Sequence, residues 1–214
     1  MDNPYILEET EDFIVVFKPP KMHCIPDLLK WCKIHSSAVF DIMHRLDYET
    51  NGLVLFAKNE KSYHFFKSAQ DNGEFIKEYS AVCSSKIEME GFPPRLNENT
   101  PPFTVESYFR PFGPGRKQVR PVIEDGKKHK EIAKDKGGFY RTEIIKIKEN
   151  NITARIKRGF RHQIRCHLCW IGYPIKNDPL YSLDSGTLLA LRSHALFFPN
   201  PKDNKSLEFK IHQL

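Results

Sequence analysis

What is missing from the sequence narrows its function first. None of its apolar runs approaches the roughly 18 residues a membrane-spanning helix needs, and the opening Met1–Phe13 stretch is acidic, without the apolar segment of a secretory signal. No membrane partner is expected. Internal repeats and low-complexity tracts are absent. The five cysteines, Cys24, Cys32, Cys83, Cys166 and Cys169, are an odd number in a mid-sized chain, which suits a reducing compartment better than a disulfide framework. A cytoplasmic location is therefore expected. On a helix, His162, Cys166 and Cys169 would share one face, which raises a zinc reading. No second Cys-x-x-Cys pair is present to close a tetrahedral site, and small buried cysteines are the simpler alternative. A phosphate-cradling glycine motif is also lacking, so neither a metal nor a nucleotide cofactor is expected.

What is present is a globular composition, 40% hydrophobic over 214 residues. That length predicts one domain over residues 1–214. Strand signals dominate: a strand, a turn and a second strand over 5–17, with Phe13–Phe17 stopped by Pro19–Pro20, then Leu53–Ala57, and β-rich runs over 74–85, 104–112, 139–149, 151–159, 188–201 and 206–211. Three segments read as helices. One follows Asp27 as a candidate cap, one lies after Asn59 with Gly73 near its end, and one runs from Arg161 to Gly172. The segment 91–102 reads as a proline-rich surface loop and 113–138 as a charged excursion. Many strands with few helices predict an α+β fold with a largely antiparallel sheet. The formal charge is +6, and it is concentrated: Lys146–Arg165 holds seven basic residues against the single acid Glu149. Such a stretch marks either a polyanion site or an ordinary solvated face.

The segment His44-Arg45-Leu46-Asp47-Tyr48-Glu49-Thr50-Asn51-Gly52 raises a sharper question. It stands immediately before the apolar run Leu53–Ala57, where a half-buried carboxylate is costly unless something compensates it. Further along stand Lys77 and Tyr79, then Gly159-Phe160-Arg161-His162-Gln163-Ile164-Arg165, then Asn177-Asp178 and Tyr181.

In that order, over nearly the whole chain, these segments resemble the RluA-like family of pseudouridine synthases. The shared features are its His-Arg-Leu-Asp motif, its Lys-x-Tyr motif, its Gly-Arg-Thr-His-Gln-Ile-Arg motif and the Lys-Pro that ends its opening strands. The sequence departs from the family where Phe160 replaces Arg, Asn177 replaces Gly, Asn51 replaces Ser, and Pro-Pro-Lys-Met-His-Cys replaces a Pro-Ala-Gly loop. The resemblance implies a mixed, mostly antiparallel sheet in two halves with a central catalytic cleft. It implies no separate N-terminal RNA-binding domain. The implied activity is isomerisation of uridine in RNA, ribosomal or transfer, by a monomer.

The resemblance implies that Asp47 is the catalytic aspartate, with Tyr79 against the uracil and Arg165 beside Asp47. A free aspartate has a pKa of about 3.9, and a nearby guanidinium favours its charged form. Such a group suits a nucleophile or base rather than a general acid. Tyr79 would supply a stacking face, and its hydroxyl would assist removal of the carbon-5 proton. Arg45, His44, Arg161, His162 and Gln163 are the candidate substrate-binding residues. Arg45 would fill vacated space or bind a phosphate, and His44 would instead orient its loop. Two rivals stay open. One is a silent RNA-binding relative, suggested by Phe160. The other is a glycoside or nucleoside hydrolase pairing Asp47 with Glu49, since glycosidases use two carboxylates.

Overall fold

The structure, a computed structural model, describes residues 3–84, 88–94, 96, 100–123 and 139–214. In chain order the elements are β1 Tyr5–Glu9, β2 Phe13–Lys18, α1 Leu29–His35, β3 Asp41–Ile42, β4 Asn51–Ala57, α2 Glu60–Asp71, β5 Ile76–Val82, β6 Phe103–Phe112, β7 Gln118–Val122, β8 Tyr140–Lys148, β9 Asn151–Ile156, α3 Gln163–Trp170, β10 Leu191–Pro199 and β11 Ser206–Lys210. This is an α+β fold built on mixed sheet with few helices. Among the described residues no helix is long and apolar enough to cross a membrane. The chain divides into two compact units, residues 1–79 with 191–214, and residues 80–190. Strand β5 runs across the division.

In the first unit the strands lie in the order β1, β2, β4, β10, with β11 on β10 and β3 on β4. All these pairs are antiparallel except β4 with β10, which run parallel. Strands β2 and β4 are buried along their whole length, which explains their continuous apolar runs. Their core joins Phe13, Leu53, Leu55, Phe66, Phe75 and Phe198. Helix α2 lays Phe66 and Ala69 onto this core, and its start is fixed by a capping box between Asn59 and Ser62. Gly52 has φ of +127°, and a Cβ there would fall 2.2 Å from the Ser193 carbonyl oxygen. Only glycine lets β10 approach β4 directly after the Asp47 loop.

Asp27 does not cap α1 as the sequence suggested. One irregular turn, Cys24–Leu28, precedes the helix, and the Asp27 carboxylate instead accepts from the His23 N–H at 3.2 Å. Asp27 lies too early, so it fastens the approach to the helix.

In the second unit the order is β9, β8, β6, β7, all antiparallel. The segment expected as a charged excursion contributes β7 in its first half, and its stretch 124–138 lies outside the described residues, as does part of the proline-rich loop. Helix α3 is buried at all eight positions. It packs in a core of Phe109, Val119, Tyr140, Cys166, Cys169 and Tyr181. Gly172, at φ +92°, ends it, with Tyr173 N–H returning to Leu168 O at 2.8 Å.

Candidate active site

Asp47 lies in the turn between β3 and β4, and the turn is tied down on several sides. Thr50 N–H donates to Asp47 O at 3.1 Å. The buried Lys18, at the end of β2, donates from Nζ to Pro19 O at 2.9 Å, Met22 O at 2.8 Å and Tyr48 O at 3.3 Å. Lys21 N–H donates to the same Tyr48 carbonyl at 2.9 Å. Leu46 N–H meets Cys24 Sγ at 3.2 Å. One ammonium and its neighbours thus stitch the residues on both sides of Asp47 to the 19–24 segment. Burial brings the Lys18 pKa down to about 8, opposed by the negative potential of Cys24, Asp47 and Glu49.

Tyr79, on β5, is 6% exposed. Burial pushes its phenol well above the ordinary value, and the Asp47 charge pushes it further, while the Ser193 hydroxyl pulls it back. The protonated phenol is thus the form this site holds. It can stack and donate a hydrogen bond, whereas proton removal by a tyrosinate is disfavoured.

His44 faces the scaffold. Leu55 N–H of β4 donates to its Nε2 at 3.3 Å, and its ring lies 5.4 Å from that of Phe75. Burial, and then the Lys77 charge, push its pKa well below the ordinary value. A neutral imidazole tying the loop to β4 fits the orienting role. Lys77 is itself brought down to about 7 by burial, with its ammonium 5.0 Å from the Phe75 ring centre. Arg45 is exposed beside Asp47.

The second unit carries the Gly159–Arg165 motif. Arg165 is 3% exposed and pairs bidentately with the fully buried Asp178, Nε to Oδ2 at 2.7 Å and a terminal nitrogen to Oδ1 at 2.8 Å. Oδ1 of Asp178 also accepts from Leu180 N–H and Tyr181 N–H at 2.9 and 3.1 Å. Gln163 is turned inward, which corrects its assignment as a substrate contact. Its Nε2 donates to Arg141 O at 2.9 Å and Thr142 Oγ1 at 3.1 Å, while Oε1 accepts from Phe160 N–H at 2.9 Å. Arg161 remains exposed but donates to Arg116 O at 2.7 Å and Gln118 O at 3.2 Å. His162, at φ +57°, precedes α3 rather than belonging to it, and its Nδ1 lies 3.3 Å from the Tyr181 hydroxyl.

Two of the departures from the family pattern have a local account in the structure. Phe160 stacks on Phe109 with centroids 4.9 Å apart and planes at 1°, and lies 5.0 Å from the Tyr140 ring. Asn177 takes φ of +61°, a left-handed conformation asparagine tolerates better than most residues. Cys166 and Cys169 are buried, and burial raises the Cys166 thiol well above its ordinary value.

The basic stretch divides in space. Lys146, Lys148, Lys157 and Arg161 are exposed, Arg158 lies over the Tyr140 ring at 5.5 Å, and Arg165 is buried. What faces solvent is the β8–β9 turn and the residues after β9. Sequence reading missed Lys18 as the fastener of the Asp47 loop and Asp178 as the partner of Arg165. The signals were present in the Lys-Pro and Asn-Asp-x-x-Tyr segments, but not the partners.

Comparison with known proteins matches residues 12–170 to the family model described as RNA pseudouridylate synthase. A Helicobacter pylori protein described as an uncharacterized RNA pseudouridine synthase is 28% identical over 196 residues, covering 91% of this chain and 70% of that protein. The Bacillus subtilis protein described as uncharacterized RNA pseudouridine synthase YjbO is 27% identical over 221 residues, covering 95% of this chain and 70% of its own length. Among solved structures, human RNA pseudouridylate synthase domain containing 1 superposes with a TM-score of 0.75 at 18% identity, over 99% of this chain and 84% of that one. That likeness is one of fold.

Proposed function

The chain belongs to the RNA pseudouridylate synthase family, in its RluA-like branch, and from that premise we propose that it isomerises specific uridines in RNA with Asp47 as the catalytic carboxylate. The bond from uracil N1 to the ribose C1′ breaks and one from C5 to C1′ forms. The C5 proton leaves to solvent and N1 gains one, so composition and mass are unchanged. The observation that carries this reading is the environment of Asp47, a carboxylate in a pinned turn beside the buried Lys18 ammonium and the protonated Tyr79 phenol. A carboxylate held in a fixed turn suits attack or proton abstraction.

Tyr79 is the proposed uracil platform, a contact typically worth ~1–3 kcal/mol, and its hydroxyl donates rather than removes a proton. The target must be unpaired or flipped to reach Asp47, and Arg45 is the proposed phosphate or gap-filling contact. Arg165 is the proposed third catalytic residue, supported by the family motif and by the Asp178 clamp that fixes its guanidinium. His44 and Gln163 serve the scaffold. We extend the proposal to ribosomal or transfer RNA acted on in the cytoplasm by a monomer, a location supported by five buried thiols. The stacking of Phe160 on Phe109 supports reading this replacement of Arg as a packing change rather than as the mark of a silent relative.

The test is release of tritium from RNA carrying uridine labelled at C5, taken from cells lacking the gene. Steady release matched by pseudouridine formation is expected. RNA binding without release would overturn the proposal, and release of free uracil would indicate hydrolysis instead.

A further inference from the structure

We propose that the stacked side chains of His23 and Tyr48 form a platform for an unpaired base next to the target uridine, a subsite that sets which single-stranded contexts are accepted. The inference rests on the reading of the substrate as RNA. Tyr48 follows Asp47 directly, about 3.8 Å along the backbone. The residue is 42% exposed, and neither it nor His23 is part of the two cores described above. The His23 ring backs it, with centroids 4.6 Å apart and planes tilted by 38°.

The pair is held in place from behind. Tyr48 O accepts from Lys18 Nζ and Lys21 N–H, and His23 N–H donates to Asp27 Oδ2. Both ends of the pair are thus anchored through the backbone while the rings are left at the surface. An exposed aromatic pair gains little from packing, but a pre-ordered ring presents a π-face to a base at small entropic cost. Two exposed cations stand close by in sequence, Lys21 two residues before His23 and Arg45 three before Tyr48, and suit the phosphates next to the stacked base. Asp27 and Glu49 lie in the same segments and disfavour a phosphate directly over the rings, so a base face, not a phosphate, is the ligand that fits. His23 falls in the segment where this chain departs from the family loop, and Tyr48 at one of the family motif's variable positions. The platform is therefore a property of this chain's own residues.

The probes are a fluorescent 12-nucleotide oligouridylate and a strand of equal length and charge carrying abasic sugars throughout. Anisotropy titrations give the affinity ratio of the two for each protein. One stacked base is worth ~1–3 kcal/mol, so Tyr48→Ala is expected to shrink the wild-type ratio roughly 5- to 150-fold. Tyr48→Phe, which keeps a ring, restores the ratio, and His23→Ala gives an intermediate loss. The salt slope of binding should be the same in wild type and Tyr48→Ala, because no charge changes. Equal ratios in wild type and folded Tyr48→Ala, or wild-type protein that binds neither strand, would overturn the proposal. Tritium release from C5-labelled RNA is read separately. A changed ratio with no release by wild type leaves the platform standing and removes the isomerase, while release with an unchanged ratio does the reverse.

Discussion

Acidification should cost this protein stability through one residue that the reaction does not use. His167, in the middle of α3, is fully buried. Its Nδ1 lies 2.8 Å from Thr142 Oγ1 of β8 and its Nε2 3.0 Å from Ser107 Oγ of β6, and it stacks on Phe109 at 4.9 Å. Burial lowers its pKa from 6.5 to about 3. An unfolded histidine takes up a proton near pH 6.5, whereas the folded one resists until about pH 3, so the unfolded state binds more protons throughout that window. The stability His167 contributes is therefore present above pH 6.5 and is lost as pH falls. At 1.36 kcal/mol per unit, going from pH 7 to pH 5 removes about 2 kcal/mol. That is a large share of the ~5–15 kcal/mol typical of a whole domain. His44 acts in the same direction, so the effect of His167 is read as a difference. His167→Gln keeps polar atoms near Ser107 and Thr142 but cannot be charged. Urea unfolding of both proteins at pH 7 and pH 5, with unchanged m-values, should show the wild type losing about 2 kcal/mol more than the variant. Parallel losses would refute the reasoning, whatever the variant's stability at pH 7.

Three other outcomes are expected. Arg165→Met leaves the fully buried Asp178 carboxylate without its guanidinium and should cost ~3–5 kcal/mol in urea unfolding. Adding Asp178→Asn should recover part of that loss, and a single variant as stable as wild type would show that the pair does not fasten α3. Turnover should fall as pH rises through about 8, where Lys18 loses its proton and weakens its hold on the Tyr48 carbonyl. In Lys18→Arg the fall should move to higher pH, and a wild-type profile flat to pH 9.5 would contradict the tether. Binding to single-stranded RNA should weaken with salt, and replacing Lys146 and Lys148 together by Gln should flatten the logarithmic slope by about 1.4, roughly 0.7 for each phosphate left without its lysine. An unchanged slope would place the RNA elsewhere.

The sheet was legible because buried strands announce themselves. The runs Phe13–Phe17 and Leu53–Ala57 became β2 and β4, buried throughout. Helix α2 was legible from the periodicity of Phe66 and Ala69. The inward direction of α3 was hidden, because Gln163, Arg165 and His167 are residue types ordinarily found facing water. Their burial depends on Thr142, Ser107 and Asp178, which lie far away along the chain and which no local pattern ties to the helix. Lys18 was hidden for a related reason. Its partners are three backbone carbonyls, and carbonyls leave no mark in a sequence. The basic stretch could not be divided from the sequence alone, since charge counts along the chain cannot separate a solvated lysine such as Lys146 from the buried guanidinium of Arg165. Asp47 was marked because a carboxylate directly before a core strand has no packing reason to be there.

The most direct test of the central claim is the rate of tritium release by Asp47→Asn. The amide has nearly the size of the carboxylate, so the turn held by Thr50 N–H to Asp47 O and by Lys18 should persist. The side chain loses its charge and with it most of its nucleophilicity and basicity at neutral pH. RNA affinity should stay within about tenfold, equal to ~1.4 kcal/mol, while release from C5-labelled RNA falls by several orders of magnitude. A folded Asp47→Asn protein that binds RNA and releases tritium at a rate close to wild type would contradict the account.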